Sequence, residues 1–170
     1  PDTTVCVRLM IEANPAAEAT DRLVLNGRGL SLVSVQLDGE FLAADRYRLD
    51  ADTLQINGLN DQHEVTITST CAQFTNTALE GLYLSGDMLC TQCEPEGFRR
   101  ICYYPDRPDV MSVFTVRIEA DQKYKQLLSN GNKLEAGPAG QDSPGRHYVL
   151  WHDPHPKPCY LFALVAGDLA

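Results

Sequence analysis

Val65-Thr66-Ile67-Thr68-Ser69-Thr70-Cys71 alternates at every step. Val65, Ile67, Ser69 and Cys71 fall on one side, and the three threonines on the other. A period of two is the signature of a strand with one face buried, and β-branched residues suit its pleated surface. The same period recurs on both sides of this stretch. Towards the N-terminus, Val5, Val7, Leu9 and Ile11 alternate with Cys6, Arg8, Met10 and Glu12. Residues 23–26 read as a short strand closed by Asn26-Gly27. Leu30 and Leu32 point one way, but Val33, Val35 and Leu37 continue in the opposite phase, which predicts a β-bulge. Asp38-Gly39 reads as a turn, and residues 47–50 and 54–57 as a hairpin across 51–53.

Towards the C-terminus, Phe114, Val116, Ile118 and Ala120 alternate with Val113, Thr115, Arg117 and Glu119. Asn130-Gly131 joins two further short strands, and residues 147–151 form another. Residues 137–145, rich in Gly, Pro and Ser, read as an exposed loop. Residues 159–166 are apolar throughout and end at Gly167-Asp168, which suits a strand buried on both faces. One segment, residues 95–104, reads as a helix. Pro95 suits its first position and Glu96 its first turn. Phe98, Ile101 and Cys102 share a face, and Pro105 and Pro108 end it. The sum is an all-β antiparallel domain of about ten or more strands with one short helix.

The chain has 170 residues, 44% of them apolar and 22% charged, which suits one packed domain. Fourteen basic residues against 23 acidic ones give a formal charge of -9. That balance argues against nucleic acid, whose phosphates need clustered Lys and Arg. It fits a soluble surface, or a field that attracts cations. No run of 18 apolar residues is present to span a membrane. The start at Pro1 shows no signal-peptide pattern, and both ends read as those of an excised piece. Six cysteines stand at positions 6, 71, 90, 93, 102 and 159. A chain of this size does not need covalent staples, and buried free thiols pack as small hydrophobes. The expectation is a reducing, cytoplasmic compartment.

Four groups could carry chemistry. Cys90-Thr-Gln-Cys93 has CxxC spacing, but no second pair completes a zinc site and no βαβ pattern supports a redox site. His152, Asp153, His155 and Cys159 are possible ligands, yet three interleaved prolines stretch them along an extended segment; the plainer reading is a rigid loop. His63-Glu64 opens like HExxH, but position 67 is Ile and the segment is a strand. Gln92, Glu94 and Glu96 lie between a strand and the predicted helix. Such junctions often present side chains for binding. On residue type alone, Glu94 reads better as a helix cap.

The run from Asn76 changes that balance. It reads Asn-Thr-Ala-Leu-Glu-Gly-Leu-Tyr, then Ser85-Gly-Asp-Met-Leu-Cys-Thr-Gln-Cys-Glu-Pro-Glu-Gly-Phe-Arg-Arg-Ile. It continues Tyr103-Tyr-Pro-Asp-Arg-Pro-Asp-Val, with Leu128-Ser-Asn-Gly-Asn and Asp153-Pro-His-Pro-Lys-Pro-Cys-Tyr-Leu-Phe-Ala-Leu-Val-Ala-Gly-Asp further on. These segments resemble the N-terminal β-domain of the bacterial aminopeptidase N family, densely over residues 76–168 and more loosely before. The resemblance implies a large, saddle-like antiparallel β-domain spanning residues 1–170, slightly truncated at its end. It implies a parent enzyme that removes single residues from the free N-termini of peptides. The zinc site and the Gly-Ala-Met-Glu-Asn motif of such an enzyme belong to a following thermolysin-like domain. This chain is therefore expected to need no cofactor, to hold no metal and to be inactive alone. Its implied partners are that catalytic domain and peptide substrates, with no nucleic acid and no membrane. The family's Gln-x-Glu motif falls on Gln92-Cys93-Glu94, so the resemblance implies that Glu94, with Gln92, holds the substrate's free amino group. It also supports reading Cys90 and Cys93 as structural thiols. Family members commonly carry an aromatic residue where His155 stands. The other classes open to the sequence are a freestanding peptide or sugar module and a small CxxC metal or redox protein. The parent reading frame discriminates the first, and metal analysis the second.

Overall fold

The computed structural model describes residues 2–12, 14, 20–59 and 62–169; the two chain ends, Pro1 and Ala170, lie outside them. The chain folds as two compact units. Pro1–Ala72 with Arg99–Pro105 makes the first, and Gln73–Phe98 with Asp106–Ala170 the second. Both are antiparallel β-structures.

The first unit holds β1 (Thr3–Glu12), β2 (Arg22–Asn26), β3 (Leu30–Leu37), β4 (Glu40–Phe41), β5 (Tyr47–Leu49), β6 (Thr53–Asn57) and β7 (Gln62–Cys71). They form two sheets, ordered β1-β7-β3-β4 and β2-β6-β5. β7, whose alternation is the clearest in the chain, lies between β1 and β3, and Val65, Ile67, Ser69 and Cys71 are all buried. Leu25, Leu54 and Ile56 are fully buried in the second sheet. Each such side chain contributes roughly 1.5–3 kcal/mol by leaving water.

The bulge falls where the phase slips. Leu32 pairs with Ser69 and Ser34 with Thr68, leaving Val33 as the extra residue. The insertion restores phase, so Leu30, Leu32, Val35 and Leu37 stand opposite Cys71, Ser69, Ile67 and Val65. Asp38 and Gly39 both have positive φ (51° and 87°), as a type I′ hairpin turn requires.

The second unit holds β8 (Gly81–Ser85), β9 (Met88–Gln92), β10 (Ser112–Asp121), β11 (Gln126–Ser129), β12 (Asn132–Pro138), β13 (Arg146–Lys157) and β14 (Leu164–Gly167). The sheets are β10-β13-β12 and β11-β14-β9-β8. Phe98 packs edge-on against Phe114 and Phe162, with ring centroids 6.0 and 5.2 Å away.

Four expectations need correction in detail. The helix over residues 95–104 shrinks to one 3-10 turn, Phe98–Arg100. Phe98, Ile101 and Cys102 are buried as their spacing implied. The backbone is committed elsewhere: Arg28 N–H donates to Arg99 O at 2.8 Å, and Asn26 and Tyr104 exchange bonds of 2.8 and 3.0 Å. The segment with Pro154 and Pro156 is strand, not loop, because β13 runs on to Lys157; Pro158 lies just past its end. Its prolines are accommodated by an irregularity, since Ser112 pairs with Lys157 but Phe114 already with Asp153. Residues 159–166 are not one buried strand. A 3-10 turn, Cys159–Leu161, precedes β14, and Leu161 is exposed. The Asn130 side chain explains the break, donating to Leu161 O (3.1 Å) and accepting from Ala163 N–H (2.7 Å). Finally, the loop expected over residues 137–145 begins later, since Gly137 and Pro138 still pair within β12.

Candidate functional site

β8 and β9 form a tight hairpin in which Ser85 faces Met88 and Gly81 faces Gln92. β9 is also paired on its other side with β14. Alternation sends Leu89 and Thr91 to one face and Met88, Cys90 and Gln92 to the other. Thr91 Oγ1 accepts from Leu164 N–H at 2.8 Å, which ties the end of β9 to its neighbour.

The strand stops after Gln92. Cys93 turns inward and is buried, and Gly97 N–H donates to Cys93 O at 2.8 Å, closing a turn over Glu94, Pro95 and Glu96. The Glu94–Pro95 peptide is cis. Gly97 is required by contact, not by φ. A Cβ there would stand 2.3 Å from Gln92 O and 3.0 Å from Gly81 N. The turn is therefore pressed onto the end of the β8–β9 ladder.

Gln92 and Glu94 are both exposed on this frame. Gln92 Nε2 donates weakly to Glu94 O at 3.4 Å. Among the described residues no group donates to the Glu94 carboxylate. The helix-cap reading fails here, since the 3-10 turn begins only at Phe98 and receives no side-chain bond from Glu94. What remains is a solvent-facing carboxylate on a rigid turn, free to pair with a cation from outside.

The other groups are committed to separate partners. His152 Nδ1 lies 2.9 Å from Thr115 Oγ1, Asp153 takes the Lys157 ammonium at 2.5 Å, and Cys159 donates to Asp106 at 3.0 Å. Glu64 faces Arg8 across β1 and β7, and His63 Nδ1 meets Asp38 at 2.7 Å. Burial, reinforced by the charge of Asp106, pushes the Cys93 thiol up to about 12, the reverse of a reactive thiolate. None of the six cysteines forms a disulfide. Among the described residues no three His, Cys, Asp or Glu side chains gather to hold a metal ion.

Residues 2–161 match the family described as the peptidase M1 N-terminal domain. The chain belongs to that family. Among relatives of the M1 N-terminal domain, aminopeptidase N of Caulobacter vibrioides is 54% identical over 147 residues, covering 86% of this chain and 17% of that protein. Aminopeptidase N of Escherichia coli is 53% identical, covering 86% and 16%. The chain thus spans under a fifth of the length of these relatives. A crystal structure of Legionella pneumophila aminopeptidase A in complex with aspartic acid superposes with a TM-score of 0.92 at 37% identity, over 98% of this chain and 20% of that one. An M1 zinc metallopeptidase mutant from Deinococcus radiodurans, bound to Tyr-Ser-Ala, superposes at 0.83 with 18% identity, over 100% and 39%. At that identity the likeness is one of fold.

Two residues of this M1 domain escape a reading by residue type. Gly97 sits in a run that reads as a helix start, where a glycine carries no signal of close contact. Asn76 lies in a loop sixteen residues before Gln92 by sequence number, yet its amide binds the backbone that β9 pairs with. The only sequence hint is an Asn followed shortly by a Gly at a strand start.

Proposed function

We propose that this chain is the N-terminal β-domain of a zinc-dependent aminopeptidase, and that Glu94, assisted by Gln92, anchors the free α-amino group of a peptide substrate. The observation that carries the reading is the Glu94 carboxylate, exposed and without a donor among the described residues, on a turn fixed by its neighbours. A terminal amine has a pKa of about 7.7–8 and is mostly an ammonium at pH 7. Its charge-assisted hydrogen bond to a carboxylate is worth about 1.5–3 kcal/mol. An acylated N-terminus has no ammonium to offer, so the contact selects free ends. Net acidity favours the approach of the same cationic group.

The catalytic partner in this reading is the domain that follows in the same polypeptide. In this reading zinc is held by that domain; within this chain His152, Asp153 and Cys159 each have a separate partner. The chain alone, without HExxH, is then inactive. Six cysteines without a disulfide fit a cytoplasmic setting.

The ammonium is present in both the ground state and the transition state, so loss of its anchor acts mainly on KM. In the full-length enzyme, Glu94→Ala should lower kcat/KM for aminoacyl p-nitroanilides by about ten- to a hundredfold. Gln92→Ala should act in the same direction but more weakly, because a neutral partner makes the weaker bond. Unchanged kcat/KM in a folded Glu94→Ala enzyme would show that the carboxylate does not hold the substrate.

A further inference from the structure

The Asn76 side chain closes the loop before β8. Asn76 Nδ2 donates to Glu80 O at 2.7 Å and to Leu82 O at 2.9 Å. Its Oδ1 accepts from Ala78 N–H at 3.1 Å. One amide thus binds three backbone groups across six residues. Inside the closed loop Leu79 is held at φ 56° and Gly81 at φ 72°, both left-handed. For Leu79 that conformation is unfavourable and persists only because its surroundings impose it. Leu79 is also exposed, so packing of its own side chain does not account for the conformation.

Gly81 is where this loop meets the amine-binding turn. It pairs with Gln92 in the ladder, and its nitrogen is 3.0 Å from where a Cβ on Gly97 would stand. The turn that carries Glu94 therefore rests on Gly81, and Asn76 fixes the backbone immediately before and after Gly81. We infer that Asn76 is a positioning residue for substrate-amine binding: by closing the loop around Gly81 it sets the floor on which Gln92 and Glu94 stand. This inference rests on the reading of Glu94 as the amine anchor. Asn76 does not touch the substrate, and its effect passes entirely through Glu94 and Gln92. The residue type is specific. Asp at this position would keep an acceptor for Ala78 N–H but lose both donors, and would set a carboxylate against two carbonyl oxygens.

The test is a double-mutant cycle in the full-length enzyme, with L-alanine p-nitroanilide as the probe and melting temperature as the check on folding. Asn76→Asp should raise KM about three- to tenfold and change kcat less than about twofold. In the Glu94→Ala background the same substitution should raise KM less than about twofold, because the main group it positions is gone and only the weaker Gln92 contact remains. Asn76→Ser, which keeps one hydroxyl donor, should give a smaller rise with the same dependence on Glu94; it serves as the second variant if Asn76→Asp does not fold. A KM effect that persists at full size in the Glu94→Ala background, or no KM effect in a folded Asn76 variant while Glu94→Ala raises KM, overturns this inference and leaves the anchor reading standing. A Glu94→Ala enzyme with wild-type KM overturns the anchor reading and this inference together.

Discussion

A methyl group on Gly97 would stand 2.3 Å from the carbonyl oxygen of Gln92, closer than real Cβ contacts come, and the obstacle is backbone that cannot swing aside. Gly97→Ala must therefore lift the turn away from the β8–β9 ladder. Overpacking of this kind costs about 1–3 kcal/mol. The turn carries Glu94, so the same substitution should raise KM in the full-length enzyme while lowering the melting temperature. Thermal unfolding and steady-state kinetics on one preparation check both. A lowered melting temperature with unchanged KM would mean that the turn relaxes without moving Glu94. This residue was not legible in the sequence, since close contact between backbone segments distant along the chain leaves no local pattern. Glu94 itself was legible only through the Gln-x-Glu resemblance. Residue type and spacing favoured a cap, and that reading fails because the helix it would cap is one short turn beginning four residues later.

At the level of elements, period decides almost everything that was read correctly. Val33 shows how far a period can be trusted. It is exposed, whereas Ile67 across the ladder is fully buried, and both are β-branched residues in adjacent strands. Val33→Ser should fall within about 0.5 kcal/mol of the parent, as surface changes do. Ile67→Ala should cost about 2–5 kcal/mol through lost burial and the cavity left behind. Denaturant unfolding of the two variants checks the contrast; a large loss at Val33 would mean that the bulge residue packs against something. Where period misled, a hydrogen bond from a distant residue had intervened. The helix over residues 95–104 lost its backbone donors and acceptors to Asn26 and Arg28, and the apolar run after Cys159 was broken by the Asn130 amide. Apolar composition in that run specified burial of Phe162 and Ala166, but could not tell a strand from a turn followed by a strand.

At the scale of the whole chain, the family match and the 0.92 superposition fix the kind of domain this is, and the two units each supply stabilising ion pairs of their own. Three carboxylates are held below their ordinary range. Asp38 accepts from the Glu64 backbone N–H and meets His63. Glu119 is paired first with Arg117 and then with Arg146. Asp153 is paired with Lys157 and accepts from His155 N–H. In an unfolded chain such groups titrate near pH 3.9–4.3. The folded state keeps them ionised to lower pH, so in that window the unfolded state binds more protons. Their contribution is complete above about pH 4.3 and is lost as pH falls through the depressed folded values. The domain should hold a steady melting temperature from neutral pH down to about 5 and lose it steeply below about 4. Asp153→Asn makes the argument specific, because an amide resembles the protonated carboxyl and cannot pair with Lys157. The variant should melt below the parent at pH 6, and the gap should close as pH falls, since the parent then carries a neutral Asp153 as well. Melting curves of parent and variant from pH 6 to 2.5 read this directly. Two parallel curves, with the gap unchanged at the acid end, would show that the Asp153–Lys157 pair is not among the groups whose protonation unfolds the domain.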